Sequence, residues 1–282
     1  MRKAALAMTI CAFPALVLGA CASGGAAKND VEDAVRASFR AENAKDIDAF
    51  LALWTDKGLE SYDVGSRKEL RDPKSEQHKG FGSEKARIMD VVTTTVREGR
   101  GTLVLDAALV GGFAQTLYRL QYTLKEEAGD WLIDGFEFKG SPPPKEGTSV
   151  VDTTAVEYGF VLSEATTDAD FALKFMNKGK EQHELTLFKG PDATDLATAK
   201  KDLENIDGET LEPVPEGYSA DHLSFADPGQ TQNVSFARPF TPGTYFLACY
   251  MPQGGLRDNG EPINPNGKPH IQLGMINVLT VK

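Results

Sequence analysis

The sequence predicts two domains in series: an α+β domain, with helices packed on a curved antiparallel sheet, and then an all-β sandwich. Three observations predict this. Apolar residues recur at helical spacing as far as Trp54, and then at a spacing of two from Val91 to Phe138. The run Ser141-Pro142-Pro143-Pro144-Lys145-Glu146-Gly147 then interrupts the chain with residues that cannot join a sheet and that hold an extended spacer. Beyond it, short strand-like runs alternate with turns such as Asp227-Pro228-Gly229-Gln230 and Thr241-Pro242-Gly243. The 282 residues suffice for two ordinary domains, and an apolar share of 41% excludes global disorder and a polytopic membrane protein.

The elements follow in order. Arg2 and Lys3 make a basic start, Ala4 to Leu18 is apolar, and small residues follow. This is the pattern of a secretory signal peptide over residues 1–20, too short to span a bilayer stably. Leu18-Gly19-Ala20-Cys21 resembles the bacterial lipobox. The resemblance implies that Cys21 becomes the mature N-terminus, carries a lipid, and anchors an exported protein in the cell envelope, at the outer membrane facing the periplasm or the surface. Cleavage nearby by an ordinary signal peptidase, with Cys21 a bystander, is the alternative. Loss of residues 1–20 removes Arg2 and Lys3 and moves the formal charge from −11 to −13. Such acidity excludes nucleic acid as a natural partner and excludes polybasic attachment to anionic lipid. Membrane contact would come from the lipid on Cys21.

Residues 21–28 are expected to be a short tether and 29–140 the first domain. Val31, Val35 and Phe39 recur on one helical face after Asn29 or Asp30 as cap; Ile47, Phe50, Leu51 and Trp54 do so after Asp46, in a helix expected to end near Gly58. Strands are expected over 91–97, 103–110, 114–124 and 131–138, with turns at Gly99-Arg100-Gly101, at Gly111-Gly112 and within Glu126 to Asp130. The segment from Phe39 to Phe50, the hairpin and the closing Trp131-Leu132-Ile133-Asp134-Gly135-Phe136-Glu137-Phe138 resemble the SnoaL-like, nuclear-transport-factor-two-like fold. That fold hosts enzymes, binding modules and dimerisation modules, so it implies a cone with a pocket and a surface for pairing with a second copy. Tyr62, Asp63, His78 and Asp134 are the candidates to line such a pocket, through acid–base chemistry of a histidine with a carboxylate. Against this, Asp63 and His78 lie in polar, loop-like stretches and Asp134 is expected to face water. Ligand binding or pairing is therefore expected there ahead of catalysis.

The linker spans 141–149 and the second domain 150–282. Strand-like runs cover 156–162, 171–176, 185–188, 232–236, 244–250 and 276–281, and the stretch between Gly190 and Ala220 is polar, acidic and partly helical over 195–206. Three cysteines occur; Cys11 leaves with the signal peptide and Cys21 would be acylated, so Cys249 remains unpaired. A lone cysteine in an oxidising compartment is either a small buried hydrophobe or a metal ligand.

The motifs around it favour a metal. Asn177-Lys178-Gly179-Lys180-Glu181-Gln182-His183, Gly243-Thr244-Tyr245-Phe246-Leu247-Ala248-Cys249 and His270-Ile271-Gln272-Leu273-Gly274-Met275 resemble the motifs of the cupredoxins, type 1 copper proteins with a Greek-key sandwich. The resemblance implies copper held by His183, Cys249 and His270, with Met275 as a weak axial ligand, a donor set that suits both oxidation states of copper. One departure stands out: twenty residues separate Cys249 from His270, where the family has a few. This insertion is rich in Gly, Pro and Asn and can fold back so that its ends stay close. Further hydrogen bonds should orient both imidazoles, with Asn177 and the backbone after Cys249 as the expected partners.

Four histidines, His78, His183, His222 and His270, are too few for a second three-histidine copper site beside this one, which excludes multicopper oxidases and copper nitrite reductases within one chain. The expected function is one-electron transfer to a protein redox partner, or copper holding, with binding ahead of substrate turnover. A copper-free binding protein on the same fold, and a small-molecule or isomerase-like activity in the first domain, are the alternatives.

Overall fold

Helix α1 (Ser23–Asn43) buries Val31, Val35 and Phe39 along one side. It begins earlier than the sequence pattern predicts, so Asn29 and Asp30 lie inside it and the expected tether is helical from Ser23. Ala26, Ala27 and Lys28 favour helix, and Ala27 packs on the first core. The computed structural model describes residues 23–83, 85–110, 113–208, 211, 213–257 and 261–282. The predicted signal peptide, Cys21 and the Gly111-Gly112 turn lie outside the described residues.

Asp46 caps α2 (Ile47–Ala52), its carboxylate accepting from the Ala49 N–H. The helical stretch does not end at Gly58. After Trp54, Thr55 caps α3 (Asp56–Tyr62), and Gly58 sits within that helix because a Cβ there would stand 2.3 Å from the carbonyl oxygen of Ile133. The polar stretch that follows is not loop throughout: Ser66 and Ser75 cap the single turns α4 (Arg67–Arg71) and α5 (Glu76–Gly80).

Strands β1 (Lys85–Arg97), β2 (Arg100–Val110), β3 (Leu117–Glu127) and β4 (Asp130–Phe138) then form an antiparallel sheet in sequence order. The tight turns Glu98-Gly99 and Ala128-Gly129 have both residues at positive φ, the twist that two-residue hairpins need. Phe39, Phe50, Trp54 and Tyr122 are buried between helices and sheet, with Tyr62 and Phe136 stacked against them. The interior of the cone is thus filled by aromatic rings.

The second domain is a sandwich of two sheets. One runs β11 (Thr231–Val234), β8 (Phe171–Asn177), β5 (Ser149–Val156), β6 (Gly159–Leu162). The other runs β10 (Ser219–Ala226), β9 (His183–Lys189), β12 (Gly243–Ala248), β13 (Ile276–Val281), β7 (Thr166–Thr167). β5 pairs with β8, and β13 with β7, in parallel; the other ladders are antiparallel. Leu185, Leu187, Tyr245, Leu247 and Leu279 meet Val151, Ala155, Leu173 and Phe175 in the core between the sheets. The acidic segment beyond β9 covers the opposite face: α6 (Leu196–Leu203), capped by Asp195, lays Ala199 and Leu203 on Phe188, Phe246, Ala248 and Ile276. This cover explains why β9 is buried on both faces along most of its length.

Candidate metal centre

Each donor side chain is set by where a strand begins or ends. His183 opens β9, and Cys249 follows directly on β12, the strand paired to β9 through Leu247↔Leu187 and Ala248↔Thr186. His270 starts a 3-10 turn, His270–Leu273, and Met275 precedes β13.

The twenty-residue insertion is zipped at its base. The Ile271 N–H donates to the Cys249 carbonyl at 2.8 Å and the His270 N–H to the Met251 carbonyl at 3.0 Å. Pro252 bridges to Pro269, and the Gln253 N–H reaches the Lys268 carbonyl at 3.0 Å. A hairpin stem therefore brings His270 beside Cys249 across a sequence gap that would otherwise part them.

Among the described residues, His183, Cys249 and His270 form a buried group whose potential ligand atoms all lie within 4.8 Å of one another. Nδ1 of His183 is 3.1 Å from Nδ1 of His270, and the Cys249 Sγ lies 3.4 Å from the His270 Nδ1 and 3.9 Å from the His183 Nδ1. A metal ion about 2.0–2.1 Å from nitrogen and about 2.3 Å from sulfur sets its donors roughly 3.3–3.8 Å apart. The three donors fit one ion.

Their surroundings prepare them for it. The Nε2 of His270 meets the Glu181 Oε2 at 2.9 Å, a contact a carboxylate can make only as acceptor, so a proton on Nε2 would leave the Nδ1 lone pair facing the other donors. The backbone N–H of Glu184 points at the Cys249 sulfur at 3.3 Å. Burial, aided by the neighbouring His270, pushes the His183 titration down to about 4. Burial also lowers that of His270, against the opposing pull of Glu181. Burial raises the Cys249 thiol well above its usual range, so it stays protonated without a cation beside it. Among the described residues, buried His183 Nε2 has no hydrogen-bond partner. It lies where a Cβ on Gly179 would come within 2.5 Å, so this glycine gives the ring its room. Met275 is buried in the same core cluster as Cys249, its carbonyl accepting from the Cys249 N–H and its N–H donating to the His270 carbonyl.

Solved structures of two kinds are similar to parts of this chain. The dithionite-reduced auracyanin of Roseiflexus castenholzii matches 48% of this chain and 99% of its own length at 18% identity, with a TM-score of 0.30. Auracyanin A, a blue copper protein of Chloroflexus aurantiacus, matches 48% of this chain and 100% of its own at 19% identity, with a TM-score of 0.29. An NTF2-like protein of Pseudomonas putida matches 44% of this chain and 91% of its own at 12% identity, with a TM-score of 0.31. No protein-family model and no curated protein matches the chain.

Two expectations need correction. Asn177 does not orient a ring. It is buried and knits its own loop, donating to the Glu181 and Ala226 carbonyls at 2.8 Å and accepting from the Gly179 N–H. The side chain that contacts the outer nitrogen of His270 is that of Glu181, two positions before His183.

The four pocket candidates of the first domain do not converge, because each is tied to a different partner. Tyr62 donates to Glu42 from within the aromatic core, and Asp63 caps α3 and lines a surface groove with Arg67 and Lys68. The His78 Nδ1 meets the Leu70 carbonyl at 2.7 Å. Asp134 is buried, not water-facing, because Thr55 donates to it at 3.0 Å while Lys57 and Lys125 flank it.

Proposed function

We propose that this chain is an exported, lipid-anchored copper protein that carries single electrons or holds copper. The observation that carries the reading is the convergence of the His183 Nδ1, His270 Nδ1 and Cys249 Sγ in one buried site. Thiolate and imidazole donors, with the Met275 thioether as a further candidate donor, would form a soft set that suits copper ahead of harder ions. Bound there, copper would supply one-electron redox chemistry. The protein's part is to hold its donors in a rigid sandwich, so that little rearranges between oxidation states, and to keep water out. The lipobox-like Leu18–Cys21 supports export and anchoring. A protein redox partner would meet the metal end of the sandwich.

The test is a copper titration of the soluble chain from residue 22, followed by visible absorption. We expect an intense thiolate-to-copper band that saturates at one copper per chain and is absent in Cys249→Ser. Absence of the band, with Cys249 still reacting as a free thiol once the protein is unfolded, would overturn the reading.

A further inference from the structure

Beside the three candidate donors the chain carries a long insertion, Tyr250 to Pro269. The carboxylate of Glu181 touches both. Its Oε2 contacts the His270 Nε2 at 2.9 Å and also accepts from the Gly254 backbone N–H at 2.8 Å. Its Oε1 accepts from the Tyr158 hydroxyl at 3.3 Å, and Gln253 donates to that same hydroxyl at 3.1 Å. The Tyr158 ring stands edge-on to the His270 ring at 5.1 Å between centroids. Gly254 and Gln253 belong to the insertion, and Gly255 packs on Gln182. The His270 side chain has no exposed surface, while Glu181 retains 22%. One carboxylate thus ties the inserted hairpin to the outer nitrogen of a candidate ligand.

We propose that Glu181 is a positioning residue of the candidate metal centre, and that the Gln253–Gly255 stretch of the insertion holds it on His270. A carboxylate on the outer nitrogen of a ligating histidine fixes its tautomer and rotation and makes it a stronger donor. Its negative charge also favours the more highly charged metal, so it lowers the reduction potential of a copper bound here. Tyr158, Gln253 and Gly254 close the same edge of the ring, so added anions would be kept from a metal bound there on that side. The effect on potential rests on the copper reading; the effect on the tautomer does not.

The experiment compares the wild-type chain with Glu181→Gln and Glu181→Ala. In the metal-free proteins, long-range ¹H–¹⁵N NMR should find His270 with its proton on Nε2 in wild type and a mixture of tautomers in Glu181→Ala. Glu181→Gln keeps an acceptor at the same place and should keep the wild-type tautomer. In copper titrations, Glu181→Ala should lose about 10–100-fold in affinity. Both variants should show a raised potential, since both lose the charge. Azide should change the visible spectrum of Glu181→Ala and leave that of wild type unchanged.

An unchanged tautomer in Glu181→Ala, or unchanged affinity and potential in both variants, would overturn the proposal. If wild type takes up no copper, the function reading fails. The tautomer comparison, together with the affinity for Co²⁺ read through its thiolate band, then still decides the role of Glu181. If Glu181→Ala does not fold, Glu181→Gln decides through the potential, or through Co²⁺ affinity.

Discussion

Cys249 and its two histidines are arranged so that the metal-free site is neutral. Burial keeps the thiol protonated, outweighing the backbone N–H groups of Glu184 and Met251 that favour the thiolate. Burial and the neighbouring ring keep His183 uncharged down to about pH 4. A divalent ion that binds near pH 7 therefore meets two neutral imidazoles and must displace one proton, from sulfur. The sign follows: bound metal and the thiol proton compete, so affinity falls as pH falls, by about tenfold per unit for one displaced proton. As pH falls further the two imidazoles take protons as well, His183 at about pH 4, and the fall steepens. Calorimetric titration at pH 7 in buffers of different ionisation enthalpy should report close to one proton released per copper. A count near zero would mean that the sulfur is not a ligand. Asp134 illustrates a charge used for structure instead: it holds the Thr55 cap of α3 to β4, and the exposed Lys57 beside it adds little.

At the scale of elements, the Asn177–His183 loop and the inserted hairpin form the site together, and only part of this was legible in the chain. The candidate donors were legible because Cys249 and His183 begin or end strands with clear alternating patterns, and because a Gly- and Pro-rich insertion reads as a segment that returns on itself. Glu181 was not, since its role appears only when Gly254 comes back to it across more than seventy residues. Strand β5 was missed for a related reason. Val150-Val151-Asp152-Thr153-Thr154 reads as polar, yet Thr153 is buried and the strand is fixed by parallel pairing with β8, a non-local contact. The chain from Gly190 to Ala220 read as an acidic loop with a helix. That its helix roofs the sheet follows from the apolar outer face of β12, where Phe246 and Ala248 alternate with the core-facing Tyr245 and Leu247.

The loop itself gives a test at this scale. A Cβ on Gly179 would lie 2.5 Å from the His183 Nε2 and 3.2 Å from both the Asn177 Oδ1 and the Glu157 backbone nitrogen. The ring is buried and cannot step aside, so Gly179→Ala should cost about 1–3 kcal/mol through overpacking. It should also weaken copper binding by displacing one donor. Thermal unfolding and a copper titration read the two effects. Wild-type values in both would mean that the loop yields and that His183 is not held as tightly as its contacts imply.

The whole molecule is joined at the end of the sandwich away from the candidate metal centre. The β2–β3 connection of the first domain reaches into the second: Ala114 is buried in the sandwich core, and Phe113 stands 6.4 Å from Phe240 and 6.1 Å from Tyr245 between ring centroids. The Leu117 N–H donates to the Ser235 carbonyl at 2.8 Å, the Ala237 N–H to the Gln115 carbonyl at 3.0 Å, and Ser235 in turn bonds Ser141 and Pro142 of the linker. Tyr245 lies in the first half of β12 and Cys249 follows its far end, so this joint sits opposite the candidate metal centre. A shared core of this kind couples the unfolding of the two domains. Metal bound by the native sandwich alone stabilises it by mass action, about 4 kcal/mol at a thousand times the dissociation constant, and the coupling passes that gain to the first domain. We therefore expect a single calorimetric transition that copper moves upward as a whole, with the near-ultraviolet signal of Trp54 and Trp131 following it. Phe113→Ala should divide the transition in two, leaving copper to shift only the part that belongs to the sandwich. Two separate transitions in the wild-type chain, with the tryptophan signal indifferent to copper, would show that the joint does not couple the domains.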